Sequence, residues 1–520
     1  MQSRHFNIVA LALFIIYFIN GVIAIPQLSV TFDEGDNLSY GIRFIKGHPE
    51  KIKPYDDAST MPVLAFNTVP RAAQQVLTPG LIKSDGGKSD IMSGRYVTLF
   101  LSAFIGLFVL KWSSELYGKK AGLLSLFLFV FCPNINGNAV LITSDALSCL
   151  LTITSAYYFW KSVHDSNWKN VIFFFISLAV AQLTKQSLTH LLIIFSLIAI
   201  ILFIQQKKVP ALNKDFILKL VVSFVIFLFI INAGFLFSGT GQSLSSYHFK
   251  SSVFNSIQRL FSFAGSMPLP FPEPYISGLD LTMNIDEIGA GLPETSGNVN
   301  ILGESRMKSG FWYYYLVTFF FKTPVPVLFL CCFLLYILWR QEKYSLRNAF
   351  IPFFCILYFL IYFSFFYNSQ VGIRHIIMIF PLLYVLLGKT ADWLFSKKVV
   401  FVLLVVYSII TYYLFFPNLI AYSNEFIANK KNAYRIIGNA NLDYGQSYFL
   451  LHKFMDKHQS VKFAGETPST GQFVIAVGDY LDVNNTGRYK WLQNFKPVAH
   501  VAHSFLLFDI SENDFKKMEK

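Results

Sequence analysis

The sequence predicts an all-α polytopic membrane protein with about eleven spanning helices, and three observations carry that prediction. Only 14% of its 520 residues are charged, while 54% are hydrophobic; ordinary soluble domains carry about 25% charged residues. Aromatic residues make up 17%, led by 56 Phe and 27 Tyr. A soluble core does not absorb so many large apolar side chains, whereas lipid-facing helices do. The Lys and Arg residues behind the formal net charge of +13 sit mainly between apolar runs, not in one basic patch. That distribution fits topogenic charge and argues against nucleic acid as a partner.

The apolar runs fall at roughly 6–25, 96–112, 116–133, 139–160, 168–184, 188–204, 216–237, 313–339, 350–367, 376–388 and 399–416. The first is long enough to span and lacks a small-residue cleavage site, so it reads as a retained helix. The runs ending at Pro133, Leu183 and Leu387 are short enough to be re-entrant instead. Charge favours spans. With Arg4 cytoplasmic, the short inner loops hold Lys111, Lys119, Lys120, Lys161, Lys169, Lys207, Lys208, Lys214, Arg340, Lys343, Arg347, Lys389, Lys397 and Lys398. The short outer loops hold only Lys185 and Arg374. This bias stays in phase only if all eleven runs span, with the N-terminus cytoplasmic and the C-terminus extracytoplasmic.

Three longer segments then lie outside. The first, about 27–94, carries Asp33, Glu34 and Asp36. The second, about 239–310, opens with a candidate interfacial helix at 247–263. The third, 417–520, has soluble composition, and buried strands at 473–477 and 504–510 predict a small α/β appendage. The expected division is a membrane domain over 1–416 and a C-terminal extracytoplasmic domain over 417–520. Cys132, Cys149, Cys331, Cys332 and Cys355 all lie in apolar runs and are spaced neither as a metal site nor as a disulfide framework.

The candidate chemistry collects near the outer surface. Thr31-Phe32-Asp33-Glu34-Gly35-Asp36 is either a solvated loop or the source of a carboxylate that takes a proton from a substrate hydroxyl. Asp145 lies one turn inside the 139–160 run, at a depth where an ionisable group marks a functional site; the alternative is an interfacial aspartate capped by Thr143 or Ser144. Lys185 and the pair Arg374-His375 sit at helix ends against the charge bias. An anion on that side, a lipid phosphate foremost, would hold them there; otherwise they snorkel among headgroups. Lys322, in Phe321-Lys322-Thr323-Pro324, faces the same two readings.

Taken in order, these pieces resemble the C-type (GT-C) membrane glycosyltransferases, in the protein O-mannosyltransferase and aminoarabinose-transferase branch. Phe32-Asp33-Glu34 resembles the acidic motif of the first outer loop. Arg95, Tyr117-Gly118-Lys119-Lys120-Ala121-Gly122 and Cys132-Pro133 resemble the second and third helices, and Asp145 the aspartate of the fourth. Leu302-Gly303-Glu304, Gly310-Phe311-Trp312-Tyr313-Tyr314 and Lys322-Thr323-Pro324-Val325-Pro326 resemble the approach to the eighth span. Gly372-Ile373-Arg374-His375 with Pro381 resembles an element of the tenth. Ala440-Asn441-Leu442-Asp443-Tyr444-Gly445-Gln446 resembles a motif past the last helix of bacterial relatives. His375 stands where Tyr is usual and Tyr444 where Trp is usual.

The resemblance implies a bacterial inner-membrane enzyme that uses a polyprenyl-phosphate sugar donor and a protein, lipid or glycan acceptor. Asp33 would be the general base of an inverting transfer, and Glu34 would orient the acceptor or the base. Lys185, Arg374, His375 and Lys322 would bind the donor phosphate. Asp145, Asp36, Glu304, Asn441 and Asp443 are supporting candidates. Asp33, Glu34 and a water could hold a divalent cation, although no His or Cys pattern supports one. A lipid or sugar transporter is the alternative function, and it would normally show internal repeats and binding near mid-bilayer.

Overall fold

The computed structural model describes residues 3–52, 57–77, 88–205, 213–289, 297–340 and 346–518. Each apolar run becomes helical. The chain begins with α1 (Ser3–Ala24), α2 (Glu34–Ile45), α3 (Val69–Leu77), α4 (Lys88–Tyr117), α5 (Lys119–Val130) and α6 (Pro133–Ala139). It continues through α7 (Ser144–His164), α8 (Trp168–Gln182), α9 (His190–Ile204), α10 (Lys214–Gly234), α11 (Ser252–Leu260) and α12 (Glu273–Ile288). After a hairpin of β1 (Asn298–Ile301) and β2 (Glu304–Met307) come α13 (Tyr314–Lys322), α14 (Val325–Arg340), α15 (Leu346–Phe365), α16 (Ile379–Leu387), α17 (Ala391–Ser396) and α18 (Lys398–Phe415).

The protein is an integral membrane protein, and its apolar helices differ in length and straightness. Among the described residues, six helices are long and apolar enough to cross a membrane, and up to eight if each of two bent pairs counts as one span. The bends have local causes. α5 and α6 meet at 61°, where Cys132 is extended ahead of Pro133. α13 and α14 meet at 115°, where Thr323 is extended ahead of Pro324. A proline disfavours helical backbone at the residue before it, so both helices stop there. α8 is short, as is the apolar part of α15. α7 buries Asp145, Ser148, Thr152, Thr154 and Ser155 inside the protein. Lys207, Lys208 and Lys343, which the charge argument uses, lie outside the described residues.

The centre of the bundle is packed from α5 and α16, the latter with all nine residues buried. α11 is shorter than the interfacial helix expected at 247–263; it buries none of its residues and exposes Ile257 and Leu260. Past α18 the expected appendage contains β3 (Val461–Phe463), β4 (Gly471–Ala476), β5 (Ala499–Val501) and β6 (Phe505–Ile510), in the order β3-β4-β6-β5. β3 runs parallel to β4, while β6 is antiparallel to both its neighbours. Phe473 lies opposite Phe508 and Val474 opposite Leu507.

The segment between α18 and this sheet packs back onto the start of the chain. Ser29 N–H donates to Gln446 O at 3.0 Å and Phe32 N–H to Tyr444 O at 3.3 Å. Ser29 Oγ donates to Gly445 O at 2.8 Å and accepts from Tyr448 N–H at 2.8 Å. These bonds join residues more than 400 positions apart and lay Tyr444 against Asp33.

Candidate active site

The local structure around Asp33 is built on its neighbour. Glu34 is completely buried, and Arg95 near the start of α4 grips it with both arms, Nε to Oε1 at 2.7 Å and Nη2 to Oε2 at 2.6 Å. Thr31 donates to Oε2 through its N–H at 2.8 Å and its hydroxyl at 3.0 Å; Ile142 N–H donates to Oε1 at 2.9 Å. A charged pair that far from water persists only with its remaining hydrogen bonds satisfied, and here they are. Asn37 Nδ2 adds a bond to Ile142 O at 2.8 Å. Glu34 and Asn37 therefore fix the 31–34 turn to the 142–145 turn, and so set Asp33 beside Asp145.

The sequence places Glu34 at the reacting centre; the structure turns it into the core. Its oxygens are occupied and it does not line the cleft described next.

That cleft measures about 1640 Å³ up to and including its open mouth, and its charged end is formed by Asp33, Asp145, Lys185 and Arg374. Arg374 Nη1 lies 2.7 Å from Asp33 Oδ2 and 3.9 Å from Asp145 Oδ2. Lys185 Nζ lies 2.6 Å from Asp145 Oδ1. The Tyr444 hydroxyl bonds both Asp33 Oδ2 and Arg374 Nη1, and its ring lies 4.4 Å beneath the guanidinium. Among the described residues, Asp145 Oδ2 and Arg374 Nε are buried without a hydrogen bond. The two cations that the charge bias leaves unexplained are thus each paired with a carboxylate, and the four charges sum to zero.

Electrostatics follow from this packing. Burial alone would raise the Asp33 carboxyl, but the Arg374 charge, hydrogen bonds from Tyr444 and Arg374, and the more distant Lys185 outweigh it and hold it below the usual carboxylate range. Burial, with the Lys185 and Arg374 charges, holds His375 well below the ordinary imidazole value, so its ring is neutral at pH 7.

The remaining candidates stand outside the cleft. Lys322 is buried and donates to the carbonyls of Ile420 and Asn441. Asn441 Oδ1 accepts from Ile373 N–H at 2.9 Å, and its Nδ2 donates to the Tyr314 hydroxyl at 3.1 Å. Lys322 and Asn441 thereby brace the turn Ile373–Ile376 that carries Arg374, and the Lys322 ammonium is occupied by carbonyls where the sequence suggests a phosphate. Gly372, with φ of +129°, lets that turn lie against Ala440. Asp443 is buried and accepts from Gly445 N–H at 3.1 Å. Glu304 sits on the exposed β2 strand beside Tyr313, 3.3 Å from its hydroxyl. Asp36, on α2, does not line the cleft. Among the described residues, no group of three or more His, Cys, Asp or Glu side chains is arranged to hold a metal ion.

Two residues of the site, one beside the cleft and one in its wall, escape the sequence reading. Tyr444 belongs to the 440–446 motif, but nothing local tells that its hydroxyl reaches Asp33. Asp286, near the end of α12, lines the cleft with Tyr362, Phe363, Tyr367 and His375. At Tyr362 the cleft meets an apolar groove along α15, formed by Phe354, Leu357, Tyr358, Ile361 and Phe366. Leu357, Ile361 and Phe366 are exposed there.

Residues 86–233 match the family model described as dolichyl-phosphate-mannose-protein mannosyltransferase. Among solved structures, the chain is similar to ArnT from Cupriavidus metallidurans bound to undecaprenyl phosphate, with 12% identity over 94% of this chain and 76% of that one and a TM-score of 0.45. It is similar to the apo oligosaccharyltransferase of Archaeoglobus fulgidus at 12% identity, covering 79% of this chain and 54% of that one, with a TM-score of 0.48. For AglB from the same organism, in complex with an inhibitory peptide and a dolichol-phosphate, the identity is 11%, the coverage 75% and 51%, and the TM-score 0.44. A comparison with curated proteins gives no match. The family match spans Arg95, Asp145 and Lys185, and over those residues the chain is similar to the dolichyl-phosphate-mannose-protein mannosyltransferases.

Proposed function

We propose that the protein is an inverting glycosyltransferase that moves a sugar from a polyprenyl-phosphate donor to an acceptor hydroxyl at the outer face of a bacterial inner membrane. One observation carries this reading. The paired charges Asp33–Arg374 and Asp145–Lys185 form one end of a cleft that runs into an apolar groove on an exposed helix face. That layout suits a ligand with an anionic head and a long hydrocarbon tail. The family match supports the same donor class, since its description names a dolichyl-phosphate-linked mannose.

In this mechanism the acceptor oxygen attacks the anomeric carbon while Asp33 takes its proton. The bond from that carbon to the phosphate oxygen breaks, and polyprenyl phosphate leaves with the electron pair. The leaving group is already anionic, so one carboxylate suffices where a glycosidase needs two. Arg374 and Lys185 offset the charge that grows on the phosphate. At rest Asp33 is a weak base because Arg374 faces it. A phosphate that draws the guanidinium off removes this opposing charge and makes the carboxylate more basic, so donor binding itself arms the base. Asp145 keeps Lys185 in place, and the tail lies along α15. The acceptor is a hydroxyl of a protein, lipid or glycan, and residues 1–416 and 417–520 act as membrane and extracytoplasmic domains.

The test is single-turnover release of undecaprenyl phosphate from sugar-bearing undecaprenyl phosphate by the purified full-length protein. Wild type should release it in the presence of acceptor, and Asp33→Asn should not. Equal release by the two proteins would remove Asp33 as base, and failure of the wild type to bind either lipid would remove the function.

A further inference from the structure

Resting on that reading, we propose that Asp286 reads the hydroxyl groups of the donor sugar and sets which sugar the cleft accepts. Asp286 lies in the last turn of α12 and belongs to the cleft wall, yet its bonds to the protein are one-sided. Oδ1 accepts two successive backbone N–H groups, Asn368 at 2.7 Å and Ser369 at 2.9 Å. Among the described residues, Oδ2 has no hydrogen bond. A carboxylate anchored by one oxygen and presenting the other to a cavity is held in fixed geometry for a donor that the protein does not supply, and a sugar hydroxyl is such a donor.

The surroundings of Asp286 match a sugar as well. Phe363 and Tyr367 line the cleft as well, and Tyr367 packs 5.3 Å from the His375 ring. Aromatic faces accept the C–H faces of a pyranose, while a neutral imidazole and a carboxylate take its hydroxyls. His375 follows Arg374 directly in the chain, so this wall continues from the phosphate-facing end. A phosphate held by Arg374 and Lys185 would place its attached sugar against that wall. The opposite assignment, in which Asp286 serves only to pin the 368–369 loop, gives different results in the following experiment.

The experiment uses full-length protein in nanodiscs and compares affinities for bare undecaprenyl phosphate and for undecaprenyl phosphate bearing mannose, glucose or N-acetylglucosamine. Asp286→Asn is the informative variant. Its amide oxygen keeps the two backbone bonds at Oδ1, while an NH₂ replaces the free oxygen. The variant should bind bare undecaprenyl phosphate within about twofold of wild type. It should bind the sugar preferred by wild type about tenfold or more weakly, the loss of one hydrogen bond to a charged group. Asp286→Ala should add a fall in melting temperature, because the loop loses its anchor. Equal weakening for bare and sugar-bearing lipid would make Asp286 a loop anchor and overturn the proposal, as would no change for either. A wild type that binds every sugar-bearing lipid no tighter than bare undecaprenyl phosphate also overturns it. A wild type that binds none of the lipids instead refutes the donor assignment on which the proposal rests.

Discussion

Arg374 lies 2.7 Å from Asp33 across 341 positions of sequence, and Tyr444, from a third part of the chain, bonds both. Removing the base is the first consequence to test. Asp33→Asn keeps the shape of the side chain and an acceptor for Arg374, but it cannot take a proton. Turnover should fall by roughly 10²- to 10⁴-fold, with undecaprenyl phosphate affinity near that of wild type. Activity within about threefold of wild type would exclude Asp33 as the base.

Arg374 is tested through charge and geometry. Arg374→Lys keeps the charge but loses the planar fork, so donor affinity should already fall. Arg374→Ala should be worse and should also move the pH profile. Arg374 holds Asp33 below the usual carboxylate range. The active ionised form therefore persists to low pH in wild type, and activity is lost only as pH falls through that depressed value. Without Arg374 the acid limb of kcat/KM should shift to higher pH. An acid limb that stays in place would show that Arg374 does not govern Asp33.

Much of this site was legible in the sequence, and what escaped has physical reasons. Asp145 stands out as a charge at membrane depth, Lys185 and Arg374 as cations against the topogenic bias, and Asp33 as one of three carboxylates clustered at the membrane surface; the structure brings all four together. Glu34 was misplaced because adjacent residues on a turn point to different sides, and no local pattern says that Arg95, 61 positions away, takes both its oxygens. Lys322 misled for a related reason: a lysine beside a helix break looks available, yet the Ile420 and Asn441 carbonyls from the segment after α18 take its ammonium. Asp286 gave no signal, since only tertiary packing carries α12 to the cleft. Proline breaks bend two of the expected runs, α5–α6 and α13–α14, and α7 packs polar side chains inside the bundle; hydropathy along the chain shows neither feature.

Tyr444→Phe separates hydroxyl from ring. The variant keeps the aromatic face under the Arg374 guanidinium but loses the bond that helps keep Asp33 acidic. A rate loss of about tenfold is expected, together with an upward move of the acid limb and a melting temperature close to that of wild type. An unchanged rate and pH profile would show that the hydroxyl has no part in setting the base.

Glu34 and Arg95 should behave as structural partners. Arg95→Ala strands a fully buried carboxylate, and loss of one partner of such a pair costs about 3–5 kcal/mol. Both Arg95→Ala and Glu34→Ala should lower the melting temperature sharply, and the double variant should be less destabilised than the sum of the two. A Glu34→Ala protein of normal stability with no activity would return Glu34 to the chemistry.

Asp443 offers a test of stability against pH. Burial, with the like charge of Asp479, outweighs the N–H groups of Gly445 and Gly478 and raises its carboxyl to about 6. In the unfolded chain it titrates near 3.9. Between those values the folded protein holds a proton that the unfolded chain has released. The folded state is therefore favoured at low pH, and stability falls as pH rises from about 4 to about 6, by an amount on the order of 3 kcal/mol. Asp443→Asn removes the titration, and its amide oxygen still accepts from Gly445. The variant should match wild type near pH 4 and melt higher above pH 6.5. The difference in melting temperature between the two proteins, followed across that range, is the measurement. A difference that is flat with pH would show that Asp443 ionises without cost in the folded protein.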